Sequence, residues 1–126
     1  MACTKEHKEF YQVDFTEGWE VPPGYPSGIQ IKVLAGKIDR ESKSGGYTRM
    51  LRFMPGTYTT EPFEHDHWEE VYVLQGDLIV DSNPDGTGGK TFLQGTYCCR
   101  PPGVPHGPFR SETGCLLLET HFYDPQ

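Results

Sequence analysis

The sequence predicts an all-β domain, an antiparallel sandwich or barrel. Two observations carry that expectation. Fifteen glycines and eleven prolines are spread along 126 residues, so the chain must turn often. Its apolar residues fall into short runs bounded by turn formers, and no stretch shows the period of an amphipathic helix. Antiparallel chains of many short strands remove their exposed edges by closing into a barrel or by stacking two sheets. The length suits one domain, 1–126, with enough mass to bury a core without disulfides.

Residues 1–28 form a mixed leader, with 1–14 expected to be loosely ordered; Val21-Pro22-Pro23-Gly24-Tyr25-Pro26 must run extended or turn. Ile29 to Leu34 alternates apolar residues with Gln and Lys, the pattern of a half-buried strand. Tyr47 to Phe53 follows Ser44-Gly45-Gly46 and stops at Pro55-Gly56. His67 to Leu74 ends at Gln75-Gly76-Asp77, and Leu78 to Asp81 resumes at once, which predicts a hairpin. Asn83 to Gly89 is a loop. Lys90 to Leu93 and Thr96 to Arg100 are two more strands, parted by Gln94-Gly95. Pro101 to Pro108 holds four prolines and two glycines and reads as a rigid irregular loop. Cys115 to Tyr123, the longest apolar run, reads as a closing strand.

The net charge of −7 and the lack of a basic stripe disfavour nucleic acid or an anionic membrane as partner. MACTKEHKEF has no apolar core of a signal peptide and no segment reaches membrane-spanning length, so a cytoplasmic location is expected. Cys3, Cys98, Cys99 and Cys115 lack CxxC spacing and read as reduced, structural or incidental thiols. On a strand, Cys98 and Cys99 would face opposite ways.

Chemistry concentrates in two short segments, His65-Asp66-His67-Trp68-Glu69 and Gly103-Val104-Pro105-His106. Alternate residues of a strand share a face, so His65, His67 and Glu69 would project together, with His106 approaching from elsewhere. Surface histidines recur by chance, and the pair alone is weak. The carboxylate two residues on, the apolar Val71-Tyr72-Val73-Leu74 and the proline-pinned loop around His106 make a metal site the better reading. Imidazole with carboxylate suits iron, zinc, nickel, manganese or copper.

Gly95-Thr96-Tyr97-Cys98-Cys99-Arg100-Pro101-Pro102-Gly103-Val104-Pro105-His106 resembles the second cupin motif in full: glycine, five residues, proline, one, glycine, two, histidine. The family places asparagine four positions on, where this chain has Arg110. Glu69 to Gly76 resembles the end of the first motif, except that only Trp68 separates His67 from Glu69 where the family leaves three or four residues. Either His65 takes the second-histidine position, with Phe63 standing at the first, or His65 and His67 are the ordinary pair across a shortened loop. The resemblance thus implies His65, His67 and His106 as ligands, with Glu69 as a fourth and Glu70 as its substitute; a site of three histidines without carboxylate stays open.

Gly18-Trp19-Glu20-Val21, Arg49-Met50-Leu51-Arg52-Phe53 before Pro55-Gly56, and Cys115-Leu116-Leu117-Leu118-Glu119 are similar to the ChrR-type cupins. That family implies a double-stranded β-helix, or jelly-roll barrel, with a divalent metal near one mouth and a homodimer. Its members include the zinc-bearing module of an anti-sigma factor and small dioxygenases that cleave diketones or hydroxylated acetophenones. The expected activity is an Fe(II) dioxygenase acting on a small dicarbonyl or hydroxycarbonyl compound. The alternatives are a non-catalytic sensor or binding module, or a metal-dependent isomerase, lyase or decarboxylase, with Zn, Ni or Mn in place of iron.

Tyr58, Phe63, Tyr72, Tyr97, Phe109 and Phe122 are candidate cavity walls, although ordinary core packing explains each as well. Arg52, Arg100 and Arg110 are candidates for holding an acidic or enolate substrate. Arg52 alternates with Phe53 and so belongs on the outer face, leaving Arg100 as the preferred one. His121 is either a base near the metal or a structural histidine, and Glu119 shares its face. Glu69, Arg100 and His121 are the candidate catalytic residues.

Overall fold

A computed structural model describes residues 5–124. Seven strands are present: β1 (Ile29–Asp39), β2 (Ser44–Phe53), β3 (Trp68–Val80), β4 (Lys90–Leu93), β5 (Tyr97–Arg100), β6 (Phe109–Arg110) and β7 (Cys115–Phe122). No helix occurs among the described residues, and every strand pairing is antiparallel. The all-β expectation holds. Cys3 lies outside the described residues.

The principal sheet runs β1-β2-β7-β3, with the first half of β3 also pairing β5. The second half of β3 leaves that sheet to pair β4 and β6. One long strand therefore serves two sheets.

The hairpin expected at Gln75-Gly76-Asp77 is a correction: β3 runs without interruption from Trp68 to Val80. A register shift against β7 between Val73 and Gln75 marks a bulge, and Gly76 takes φ +84° beside it. Bulges bend a strand and re-aim it, which is how β3 passes from one sheet to the other. Glycine is required there twice over, for the left-handed backbone and because an added Cβ would meet the Gly114 carbonyl oxygen.

β1 also runs past the expected Leu34 to Asp39 and closes a hairpin with Ser44, where the Asp39 carboxylate accepts from the Glu41 and Ser42 amides. Part of the leader is held to the sheet. Glu20 bridges Ile31, Lys32 donates to the Glu17 carbonyl, and Arg52 stacks on Trp19 with its guanidinium carbon 4.0 Å from the ring centroid. Cys98 is half-buried and Cys99 exposed, so they face opposite ways as alternation requires; Cys115 is buried, and all three are free thiols.

The core of Ile29, Leu51, Phe53, Val71, Val73, Leu78, Cys115 and Leu117 joins the inward faces of β1, β2, β3 and β7. Asp77 locks the far end of this core. Its buried carboxylate accepts from the Ser111 hydroxyl at 3.0 Å, the Glu112 and Thr113 amides at 2.9 Å each, and the Thr113 hydroxyl. Burial alone would raise its pKa, but these four donors outweigh burial and bring it to about 2.

A carboxyl depressed in the folded state stabilises the fold above its ordinary pKa and loses that contribution as pH falls through the folded value. Asp77→Asn is expected to cost about 2 kcal/mol at neutral pH and to flatten the loss of stability between roughly pH 4 and pH 2, measured by urea unfolding across that range.

Candidate metal centre

Strand register builds the site in rows. On the inward face, one row across the sheet reads Tyr47, His121, Glu69, Arg100, and the next reads Arg49, Glu119, Val71, Cys98. Beyond them lie Leu51, Leu117 and Val73. β7 alternates buried and half-buried residues along its whole length, with Cys115, Leu117, Glu119 and His121 all inward. The interior is thus polar at one end and apolar at the other.

Two imidazoles come from outside the strands. His65 and His67 precede β3, which starts at Trp68, so the strand alternation expected for them does not produce their convergence. A latch does. Tyr123 donates to Asp66 at 2.6 Å and packs its ring edge-on to His67, with centroids 5.4 Å apart. The Phe63 amide donates to the His106 carbonyl at 2.7 Å and the His106 amide donates back at 2.8 Å, bringing the proline-rich loop alongside.

Glu69 sits at the centre, 4 % exposed. Its Oε1 lies 3.4 Å from His65 Nε2 and 3.2 Å from His121 Nε2; its Oε2 accepts from Arg100 Nη1 at 2.8 Å and lies 3.6 Å from His106 Nε2. The His65 and His67 rings stack at 4.5 Å, and His67 Nε2 meets His121 Nδ1 at 2.9 Å. Behind His121, Glu119 Oε1 is 3.0 Å from Nε2 and accepts from Arg49 Nε at 2.9 Å.

Three overlapping trios have donor atoms within 4.8 Å of one another: His65, His67 and His121; His65, Glu69 and His106; Glu69, Glu119 and His121. The expected ligands fall in two of these trios that share His65: His67 stands with it in the first, Glu69 and His106 in the second, and no trio holds all four. His121 and Arg100 join them.

The donor set fits a divalent transition metal. Burial lowers the pKa of His67 to about 4 and lowers that of His106, so both rings are neutral at pH 7 with a lone pair to give. Burial pushes Glu69 upward, but the His65 contact and the fields of His121 and His106 bring it below its ordinary value, keeping it anionic. Burial likewise raises Glu119, and Arg49 and His121 more than reverse it. Buried His67 Nδ1 has no hydrogen-bond partner among the described residues. An unpartnered ring nitrogen in a cluster of imidazoles is free to hold a cation.

The end of the site that holds Glu69, Glu119 and His106 opens into a cavity of about 320 Å³. Phe63, Phe109 and Tyr97 line it as expected. Three other wall candidates are corrected: Tyr58 and Tyr72 are each 42 % exposed, and Phe122 stacks on Trp68 outside the cavity. Arg110 is spent on the Gly88 carbonyl and Glu112, and Arg52 lies outside, bonded to Gln30. Glu70 faces away from the cluster and accepts from Tyr97, so it does not substitute for Glu69. Arg49 is the cavity residue that sequence reasoning missed; its alternation with Leu51 and Phe53 was the available signal.

Residues 12–123 match the ChrR cupin-like domain. The chain belongs to that family. Solved cupin structures share the fold. An RmlC-like cupin from Shewanella frigidimarina is 22% identical over 94% of this chain and 95% of its own, with a TM-score of 0.65. The polyketide cyclase RemF from Streptomyces resistomycificus is 22% identical over 92% and 81%, TM-score 0.65. An acetylacetone dioxygenase from Acinetobacter johnsonii is 20% identical over 99% and 81%, TM-score 0.63. No curated protein matches the chain. At these identities the neighbours establish the fold of this ChrR-like cupin and leave its chemistry to its own side chains.

In the metal-loaded protein, His106→Ala is expected to lower retained metal at least tenfold after dialysis against a weak chelator, whereas Arg110→Ala leaves it unchanged. Metal content by mass spectrometry, with circular dichroism as the folding control, makes the check.

Proposed function

We propose that this ChrR-like cupin is a metal-dependent enzyme, an iron(II) dioxygenase that cleaves or oxidises a small dicarbonyl or hydroxycarbonyl compound. The observation that supports it is a cluster of His65, His67, His106, His121, Glu69 and Glu119 in which Glu69, Glu119 and His106 line an apolar-walled cavity of about 320 Å³. Structural zinc sites are closed by their four ligands, whereas a cluster facing a cavity leaves room for a substrate. When bound, iron(II) supplies redox chemistry toward O₂ and a Lewis acid for paired carbonyl oxygens.

In this reading His65, His67 and His106 hold the cation and Glu69 completes or tunes the set. Arg100, bonded to Glu69 at 2.8 Å, fixes that carboxylate's rotamer and charge. His121 orients His67 through the 2.9 Å contact between their rings, and Glu119 anchors His121 in turn. Phe63 and Phe109 narrow the cavity beside His106 and exclude water there.

A second reading has its own support. Glu69, His121 and Glu119 form a continuous buried run of groups able to hold or pass a proton beside the cavity. That suits oxygen-independent isomerase, lyase or decarboxylase chemistry at the same metal.

Protein purified without chelator is expected to carry about one transition metal per chain, and its iron-loaded form to consume oxygen stoichiometrically with a member of a dicarbonyl panel. Tightly held zinc, with oxygen uptake at background across the panel, rejects the dioxygenase; turnover of a keto acid under nitrogen selects the second reading.

A further inference from the structure

The cavity is graded along its length. β2 contributes Arg49, then Leu51, then Phe53; β7 contributes Glu119, then Leu117, in the matching rows; β3 contributes Glu69, then Val71 and Val73. Each strand places its charged residue at the metal end and hydrocarbon beyond it. A ligand matched to this gradient has a polar head and an apolar tail, seated tail inward.

Charge decides the sign of the head. Two guanidiniums line the cavity, Arg49 and Arg100, and each has one carboxylate beside it, Glu119 at 2.9 Å and Glu69 at 2.8 Å. The fixed charges cancel in pairs. A divalent cation bound beside these pairs then adds two positive charges to a chamber walled by hydrocarbon. Burying net charge in such surroundings is costly unless an anion accompanies it. An enolate alone neutralises half of that excess; an enolate bearing a carboxylate neutralises all of it.

Arg49 is the natural anchor. It is 6 % exposed, lines the cavity, and spends Nε on Glu119. Guanidinium carries five donors in a planar fork, so the group suits a carboxylate as well as its resident partner. Both guanidiniums are paired and stand over a ring, Arg49 over Tyr47 at 5.4 Å and Arg100 over Phe109 at 5.9 Å, but Arg49 lies one row further in, beside the hydrocarbon wall.

We infer that the ligand of this cavity is an oxo acid with a hydrocarbon tail, its carboxylate held by Arg49 and its tail against Leu51, Leu117 and Val73. This rests on the metal-dependent reading above and narrows its substrate class from dicarbonyls in general to carboxylate-bearing ones.

The test uses zinc-loaded full-length protein, which is redox-silent, and isothermal titration with two probes of the same shape: 4-methyl-2-oxopentanoate and the neutral 5-methylhexane-2,3-dione. The oxo acid is expected to bind at least tenfold more tightly, and pyruvate, which lacks the tail, at least tenfold more weakly than the longer acid. Arg49→Lys is expected to shrink the preference for the acid and Arg49→Gln to abolish it, each compared with the wild type at matched zinc occupancy. The wild-type comparison stands even if a variant fails to fold. Equal affinity for the two probes in zinc-bearing protein overturns this inference while leaving the metal reading intact, as does a preference that survives Arg49→Gln. A chain that takes up no metal overturns both.

Discussion

Everything at the polar end of this barrel depends on one buried carboxylate. Glu69 stands opposite His121 on one side of β3 and opposite Arg100 on the other. An unpaired carboxylate at that depth would cost several kcal/mol or give up its charge. Here Arg100 donates to it, and His65, His106 and His121 surround it. The same group thereby gathers candidate ligands from three separated segments. Fold and site share a single constraint, the register of β3 between β7 and β5.

A second buried charge pair supports the first. Arg49 and Glu119 lie 70 residues apart in the chain and face each other across β2 and β7. Their pairing turns the row behind the metal ligands polar without leaving a charge uncompensated. Replacing such a pair by hydrocarbon is often neutral for stability, so its presence at the cavity wall points to function more than to folding. At the opposite end Asp77 ties β3 to the turn before β7, so the strand shared by the two sheets is held at both extremities.

Much of this was legible beforehand, for reasons that separate local from distant physics. Cys115 to Tyr123 and Tyr47 to Phe53 announce strands because apolar alternation and bounding turns are local signals. The Gly95 to His106 spacing resembles a cupin motif because a glycine turn, a proline-pinned loop and a ligand must follow in that order. Gly76 misled because a glycine with an aspartate after it marks a tight turn and a bulged bend equally well; only the pairing of both halves of β3 distinguishes them. Arg49 is not legible as a cavity residue because a charged residue reads as exposed until its partner is known. His65 and His67 were expected together for the wrong reason: the Tyr123–Asp66 latch gathers them, and no strand does.

The central claim is that His65, His67, His106 and Glu69 converge on one cation. Anomalous diffraction from metal-loaded crystals, collected on both sides of the metal's absorption edge, tests it directly. The account predicts one strong peak per chain within about 2.0–2.3 Å of ligand atoms from His65 and at least two of the other three. A peak elsewhere on the surface, or none in crystals that carry stoichiometric metal, would contradict it.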